Sequence, residues 1–200
     1  MPDQDTIATY NAKAADYAKF NKTDHPDADL QAFIDIMPKG AHVLDLGCGP
    51  ASASAHMRDA GLLPDPVDAA QGMVDLANQT HAINARLARF DDITAIATYD
   101  GVWANFSLLH APRAALPGHL QDICNALKPG GIFHIGMKTG TGKARDAIAR
   151  LYTYVEVVEL KDLLHAAGLT VVFTREGVGK GLAGTNDPFV IMRAKKVTDA

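Results

Sequence analysis

Residues 42–51 read HVLDLGCGPA. The first five form a short apolar run containing one acid, which predicts a buried strand, and the glycines that follow predict a sharp turn. A segment of small residues then continues to about Gly61, a residue type that favours the end of a helix. This part of the chain therefore predicts a strand, a turn and a helix in succession, as at the start of an α/β domain.

The same alternation continues on both sides of this segment. Helices are predicted at Thr6 to Phe20, from about Pro26 to Met37, at Met73 to Ala77, Leu116 to Leu127, Ala144 to Tyr154 and Leu160 to Ala167. Further strands are predicted at 67–68, 85–90, 100–106, 132–137, 169–174 and 189–193. Because parallel neighbours need crossovers, the pattern predicts a doubly wound, mostly parallel seven-stranded sheet with helices on both faces. The last connection has no helix, which predicts one antiparallel strand near the C-terminus.

The composition indicates a single globular domain spanning residues 1–200, with 48% apolar and 21% charged residues. A net charge of −4 disfavours nucleic acid as a partner. No apolar run reaches the roughly 18 residues of a membrane span, and the N-terminus lacks a secretory pattern. Two distant cysteines, Cys48 and Cys124, favour a reducing, cytoplasmic compartment. The histidines and cysteines show no metal-ligand spacing, and a monomer and a homodimer both stay open.

The turn after the first strand has the features of a nucleotide site. In doubly wound sheets, ligands bind beyond the carboxyl ends of the strands, usually at this turn. Gly47 and Gly49 let the backbone turn and approach a ligand closely. Asp68 ends the second strand, where its two oxygens are placed to accept both hydroxyls of a ribose. Together these residues predict an adenosine site.

Two features separate the possible adenosine cofactors. The dinucleotide fingerprint G-x-G-x-x-G/A would place Ser52 at its third small position, so the match is imperfect. Asp45 stands two residues before the first glycine, where its carboxylate would repel a pyrophosphate and attract a cationic group. A cofactor with a positive charge is favoured, and an NAD(P)-dependent oxidoreductase is the alternative.

Five motifs resemble those of the class I S-adenosylmethionine-dependent methyltransferases, and they occur in the family's order. They are VLDLGCGP at 43–50, VDAAQGMVDLA at 67–77, FDDI at 90–93, YDGVWANFSLLH at 99–110 and LKPGG at 127–131. The resemblance implies a Rossmann-like methyltransferase with S-adenosyl-L-methionine as its cofactor. It departs from the family at Pro50 and Ala51, where many members carry a third glycine.

The resemblance also implies roles for individual residues. Asp68, with Ala69 after it, would hold the ribose, and Met73 would line the adenine. Either Asp91 or Asp92 would meet the adenine amino group, with Asp91 preferred.

At the end of the fourth strand, Asn105 would contact the cofactor and His110 is the candidate general base. Tyr17, together with Tyr10, would close over the methionine end of the cofactor, although packing in the core explains both tyrosines equally well.

The implied activity is in-line (SN2) transfer of a methyl group to a small-molecule acceptor, with catalysis mainly by alignment and exclusion of water. Residues 1–37 would form a helical cap, and residues 138–168 would shape the acceptor pocket. The end of the fourth strand lacks the Asn-Pro-Pro-Tyr pattern that grips a flipped base, which disfavours nucleic-acid methylation. The non-enzyme alternative is a regulatory domain that binds S-adenosylmethionine and has no acceptor pocket.

Overall fold

The computed structural model describes residues 3–20, 24–181 and 183–197, and leaves the side chains of 15 and 17–20 undescribed. The helices are α1 Gln4–Phe20, α2 Ala28–Ile36, α3 Ser52–Asp59, α4 Gln71–His81, α5 Leu116–Ala126 and α6 Val157–Ala166. The strands are β1 His42–Leu46, β2 Leu63–Asp68, β3 Arg86–Leu87, β4 Tyr99–Asn105, β5 Leu127–Lys138, β6 Lys143–Arg145, β7 Leu151–Thr153, β8 Leu169–Lys180 and β9 Asn186–Lys196. Short 3-10 turns lie at Phe90–Asp92, Leu108–His110 and Arg113–Ala115.

Seven strands form one sheet in the order β3-β2-β1-β4-β5-β9-β8. Neighbouring pairs from β3 to β5 are parallel, and β9 runs antiparallel to both β5 and β8. The strand order reverses between β1 and β4, which opens a crevice at their carboxyl ends. The predicted doubly wound sheet with one antiparallel strand near the C-terminus is confirmed.

Strand β2 is longer than the sequence suggested, although it contains Pro64 and Pro66. Both prolines are in register with β1, yet β3 pairs only with Val67 and Asp68. Because backbone N–H groups alternate between the two sides of a strand, the missing proline donors fall on the side that β3 leaves uncovered. The prolines are tolerated because this part of β2 is an edge.

The helix predicted at Ala144 to Tyr154 is wrong. This segment is a hairpin in which β6 and β7 pair antiparallel, apart from the main sheet. The Asp146 carboxylate accepts hydrogen bonds from the backbone N–H groups of Ile148 and Arg150. A short acidic side chain that captures local backbone donors competes with the helix for them, and here it forms a turn instead.

The two faces of the sheet carry separate apolar clusters. The larger one packs α5 and α6 against residues such as Leu44, Val102 and Phe133. The other face packs α2 through Phe33, which contacts Trp103 on β4 with ring centroids 5.2 Å apart.

Helix α1 lies across the crevice and is tied down on two sides. On one side, the Asn11 side chain accepts a hydrogen bond from the N–H of Gly72 on α4. On the other, the Thr6 hydroxyl accepts a hydrogen bond from the N–H of Leu151 on β7. The helix therefore bridges α4 and the β6–β7 hairpin, above the carboxyl ends of β1, β2 and β4.

Within the described ranges, no helix combines the length and apolar character needed to cross a membrane. The same residues contain no group of three or more histidine, cysteine or acidic side chains arranged to hold a metal ion.

Candidate active site

A cavity lies between α1 and the carboxyl ends of β1, β2 and β4. Seven of its lining residues are Tyr10, Gly47, Gly49, Asp68, Met73, Asn105 and His110. The structure therefore brings together residues that the sequence analysis took from three separate motifs and from the N-terminal helix. We refer to this space as the first cavity.

The glycine turn forms one wall of the first cavity and depends on having no side chain at Gly47. Gly47 has a φ of +76°, and a Cβ atom there would lie 2.4 Å from the Cβ of Ser107. The turn is also held by the N–H of Gly49, which donates to the Asp68 carboxylate over 2.9 Å. The loop after β4 can approach the turn because this position is glycine.

Gly47→Ala is expected to lower the free energy of unfolding by about 2–3 kcal/mol, because it combines backbone strain with a steric overlap. Urea denaturation measures the loss. Gly40→Ala is the matched control, since Gly40 has a φ of +73° with no atom within 4 Å of the added Cβ. Equal losses in the two variants would show that the contact with Ser107 is unimportant.

Asp68 lines the first cavity at the end of β2. Its two oxygens accept backbone hydrogen bonds from Gly49, over 2.9 Å, and from Ala70, over 2.8 Å. Burial raises the pKa of this carboxyl, while the backbone hydrogen bonds favour its charged form. Since each carboxylate oxygen accepts more than one hydrogen bond, the side chain can hold a ligand diol as well as the glycine turn.

Asp68→Ala is expected to weaken binding of S-adenosylhomocysteine by about 1.5–3 kcal/mol, the scale of hydrogen bonds to a charged group. Calorimetry at one pH measures the change. The control is Asp75→Ala on α4, whose carboxylate accepts a hydrogen bond from exposed Gln71. An unchanged affinity in the Asp68 variant would exclude a role for this carboxylate in holding the ligand.

Asp45 lies behind the glycine turn, only 2% exposed, and is not part of the cavity wall. The Ser54 hydroxyl donates to its carboxylate over 2.6 Å. Burial, with a smaller contribution from the nearby charge of Asp68, raises the pKa of Asp45 to about 7, although the Ser54 hydrogen bond opposes this shift. Two buried acids beside one turn favour a ligand that brings positive charge.

The far end of the first cavity is lined by Ala69, Met73, Ala88, Arg89 and Phe90. Ala69 and Met73 were predicted from the sequence, whereas Arg89 and Phe90 were missed. Phe90 could have been identified as a site residue because it ends a predicted strand, immediately before the two adjacent acids.

The two acids that follow Phe90 lie away from the first cavity. The Asp91 side chain is 60% exposed, with an oxygen 3.8 Å from Nε2 of His119. The Asp92 carboxylate accepts a hydrogen bond from the N–H of Arg89. Neither acid lines the cavity, so the predicted contact with the adenine amino group stays a prediction.

A second cavity of about 300 Å³ adjoins the first. Tyr10, Asn105, Phe106 and His110 belong to the walls of both. The second cavity extends from this shared wall toward β7 and the β8–β9 hairpin. Sequence analysis assigned no site role to Phe106 or to Phe189, which lines the second cavity from β9.

His110 is held by hydrogen bonds at both ring nitrogens. Its Nδ1 lies 2.8 Å from the Leu151 carbonyl oxygen, and its Nε2 lies 2.8 Å from the Tyr10 hydroxyl oxygen. A carbonyl only accepts, so Nδ1 carries the proton and Nε2 accepts the tyrosine hydrogen. Burial lowers the pKa of His110 to about 4, which keeps the ring neutral at physiological pH.

Tyr10 connects this histidine to a buried ion pair. Arg150 donates from Nη1 to the Tyr10 hydroxyl oxygen over 3.1 Å and pairs with Asp146 over 2.8 Å. The sequence analysis singled out Tyr10 but could not show that it meets Arg150. Tyr17 lies in α1, and its side chain is outside the described residues.

Comparisons with known proteins point to one kind of enzyme. A family model described as "Methyltransferase domain" matches residues 43–131. Malonyl-[acyl-carrier protein] O-methyltransferase of Enterobacter lignolyticus is 27% identical over 194 residues, covering 94% of this chain and 71% of that protein.

Solved structures agree in fold. The 1,6-didemethyltoxoflavin-N1-methyltransferase of Burkholderia thailandensis, solved with 1,6-didemethyltoxoflavin and S-adenosylhomocysteine bound, has a TM-score of 0.74 and 25% identity, covering 98% of this chain and 88% of that one. An S-adenosylmethionine-dependent methyltransferase of Methanosarcina mazei has a TM-score of 0.74 at 14% identity, covering 84% and 98%.

Proposed function

We propose that this chain, which is a class I S-adenosylmethionine-dependent methyltransferase, methylates a small-molecule acceptor bound in the second cavity. The predicted family, the enzyme class and S-adenosylmethionine as cofactor are confirmed by the matches to methyltransferases, one of them solved with S-adenosylhomocysteine. The alternative of a nicotinamide-dependent oxidoreductase is set aside.

The first cavity fits this cofactor in its charge and in the residues that line it. S-adenosylmethionine carries a sulfonium, and the buried Asp45 and Asp68 supply negative charge beside the glycine turn. Asp68 would hold the ribose hydroxyls, and Met73 and Phe90 would flank the adenine. A pyrophosphate would meet the same two acids unfavourably.

The shared wall is the observation that carries the proposal. A donor in the first cavity and an acceptor in the second would meet at Tyr10, Asn105, Phe106 and His110. This arrangement supports transfer between two bound molecules in line, because each cavity can align one reactant. An open second cavity also disfavours a non-catalytic domain, for which the acceptor space would be filled.

Methyl transfer also requires a group in the protein that accepts a proton from the acceptor. When bound, S-adenosylmethionine supplies a methyl group on a positively charged sulfur, which keeps the bonding electrons as the methyl leaves. An acceptor O–H or N–H that gains this methyl must lose its proton. We assign that proton to the Tyr10–His110 pair: the acceptor proton moves to the Tyr10 hydroxyl oxygen while the Tyr10 hydroxyl hydrogen moves to Nε2 of His110.

A histidine with a pKa of about 4 is a weak base, and this sets the timing of the proton transfer. It cannot remove a proton from an ordinary alcohol or phenol beforehand, because those groups are weaker acids by several pKa units. An oxygen or nitrogen that is gaining a methyl group becomes strongly acidic. Proton transfer therefore follows or accompanies bond formation.

Calorimetric titration with S-adenosylhomocysteine, NAD and NADP tests the cofactor half of the proposal. We expect S-adenosylhomocysteine to bind and the nicotinamide cofactors not to. Release of S-adenosylhomocysteine from S-adenosylmethionine, followed over a panel of small acceptors, tests the methyl transfer. Binding without turnover of any acceptor would contradict the enzymatic role.

We further propose that the enzyme works in the cytoplasm, as a monomer or a homodimer. Cys48 and Cys124 are both buried and unpaired, which suits a reducing compartment.

A further inference from the structure

We propose that the acceptor is a planar aromatic or heteroaromatic molecule, methylated at a ring hydroxyl or a ring N–H. This inference rests on the proposed function, since it names the substrate class of the second cavity.

Five aromatic rings line the second cavity, and they come from five separate parts of the fold. Tyr10 lies on α1, Phe106 follows β4, His110 is in a 3-10 turn, Tyr152 is on β7 and Phe189 is on β9. Chance packing along one element does not explain this convergence. The cavity volume of about 300 Å³ is at the lower end of the range for small-molecule sites.

The rings already contact one another in the geometries that aromatic pairs prefer. Phe106 and Phe189 meet edge to face, with centroids 5.6 Å apart and planes at 87°. Tyr10 and His110 also meet edge to face, with centroids 5.4 Å apart and planes at 75°. A flat ligand ring extends such a cluster by stacking or edge contacts, whereas a saturated ring offers no complementary quadrupole.

Two of the three cations that line the second cavity, Lys138 and Arg150, are each paired with an acid; Lys180 is the third, and Asp27 lines the cavity as well. Lys138 pairs with Asp187 over 2.7 Å and stands 3.8 Å above the Tyr152 ring. Arg150 pairs with Asp146 over 2.8 Å. These cations act as oriented donors to ring oxygens or nitrogens, and an acceptor held mainly by several negative charges is disfavoured.

The proton chemistry agrees with this class. Aromatic hydroxyls and heteroaromatic N–H groups are more acidic than aliphatic alcohols. The Tyr10–His110 pair is a weak base, and such acceptors make the smallest demand on it.

Ligand-observed NMR on the enzyme saturated with S-adenosylhomocysteine tests the inference. The probes are matched pairs with the same substituents on an aromatic and a saturated ring, such as 4-hydroxybenzoate and 4-hydroxycyclohexanecarboxylate, with the malonyl thioester of N-acetylcysteamine as a non-aromatic acyl thioester. We expect the aromatic members to bind at least about tenfold more tightly, and Phe189→Leu to remove most of that preference. Phe173→Leu, outside both cavities, is the matched control.

Equal binding of saturated and aromatic probes, preference for the malonyl thioester, or no binding of any aromatic probe would overturn the inference. Each of these results leaves the proposed function standing as long as S-adenosylhomocysteine binds. Failure of S-adenosylhomocysteine to bind would overturn the proposed function itself.

A second inference concerns His134, which we assign as a positioning residue for Asn105. His134 is fully buried and stacked on Trp103, with ring centroids 3.6 Å apart. Its Nε2 lies 3.2 Å from the Asn105 amide oxygen, so Nε2 carries the proton and donates. Its Nδ1 has no hydrogen-bond partner in the described part of the chain.

The space for this contact is provided by Gly136, which pairs with Asn105 across β4 and β5. A Cβ on Gly136 would lie 2.6 Å from the Asn105 amide oxygen. The oxygen is thus held by His134 above Gly136, and the amide NH₂ is left as the donor at the wall shared by both cavities.

Two variants, His134→Phe and His134→Gln, test this role of His134 by comparison with the wild-type enzyme. A buried polar ring with an unpartnered nitrogen is unfavourable, so the Phe variant is expected to keep or raise the melting temperature. It should nevertheless shift the NMR signal of the Asn105 side-chain amide and weaken S-adenosylhomocysteine binding about tenfold. The Gln variant retains an N–H donor and should restore part of the affinity. An unmoved Asn105 signal with unchanged affinity would overturn the assignment.

Discussion

His110→Phe is expected to lower kcat by roughly 10²- to 10⁴-fold, the usual contribution of a positioned acid or base. The ring nitrogens are lost while a ring of similar size remains in the shared wall. Binding of S-adenosylhomocysteine should change little, because the proposed contribution of His110 is to proton transfer. Single-turnover kinetics together with calorimetry separate these two effects.

A second variant distinguishes two possible roles of His110, which either accepts the proton or only orients Tyr10 through a hydrogen bond. His110→Gln offers Tyr10 an amide oxygen as a hydrogen-bond acceptor but has no basic atom. If His110 takes the proton, the Gln variant is as impaired as the Phe variant. If it only orients Tyr10, the Gln variant regains most of kcat. His119→Gln, at a buried histidine outside both cavities, is the matched control.

Asp45→Asn is expected to raise the free energy of unfolding of the cofactor-free protein by about 3–4 kcal/mol at pH 8. Burial raises the pKa of Asp45 from 3.8 to about 7, so between these values the folded protein holds a proton that the unfolded chain releases. The stabilising contribution of the neutral acid is fully present below about pH 4. It is lost as the pH rises through about 7, and asparagine stays neutral throughout.

Urea denaturation at pH 5, 6, 7 and 8 measures this difference. The advantage of the Asn variant should grow from pH 5 to pH 7 and then level off. Asp59→Asn is the control, because the Asp59 side chain is 66% exposed and pairs with exposed Arg58. A difference that does not change with pH would contradict the raised pKa.

The same substitution should weaken binding of S-adenosylmethionine, because the negative charge beside the glycine turn is removed. If both changes are measured, this acid lowers the stability of the cofactor-free protein and favours binding of a cationic ligand. Opposite changes in stability and affinity would identify Asp45 as a functional residue, although it does not touch the cavity.

Most of the sheet was predictable because its strands are short apolar runs between glycine and proline signals. The β6–β7 hairpin was not, since the apolar spacing of residues 144–154 also suits a helix. The Asp146 side chain decides between them by capturing the N–H groups of Ile148 and Arg150. The bounds of β2 could not be predicted because prolines disfavour a strand. The strand accommodates them because β3 pairs only with its last two residues.

The sequence by itself determined the fold class, the glycine turn and the acids beside it, because these depend on local patterns and on the order of motifs along one chain. Only the tertiary structure decided that Asp45 lies behind the turn, that Asp91 and Asp92 lie away from the first cavity, and that Tyr10, His110 and Arg150 form one network. The network depends on contacts between residues a hundred or more positions apart. Local propensity does not specify such contacts, because they form only when α1 and the hairpin close over the same end of the sheet.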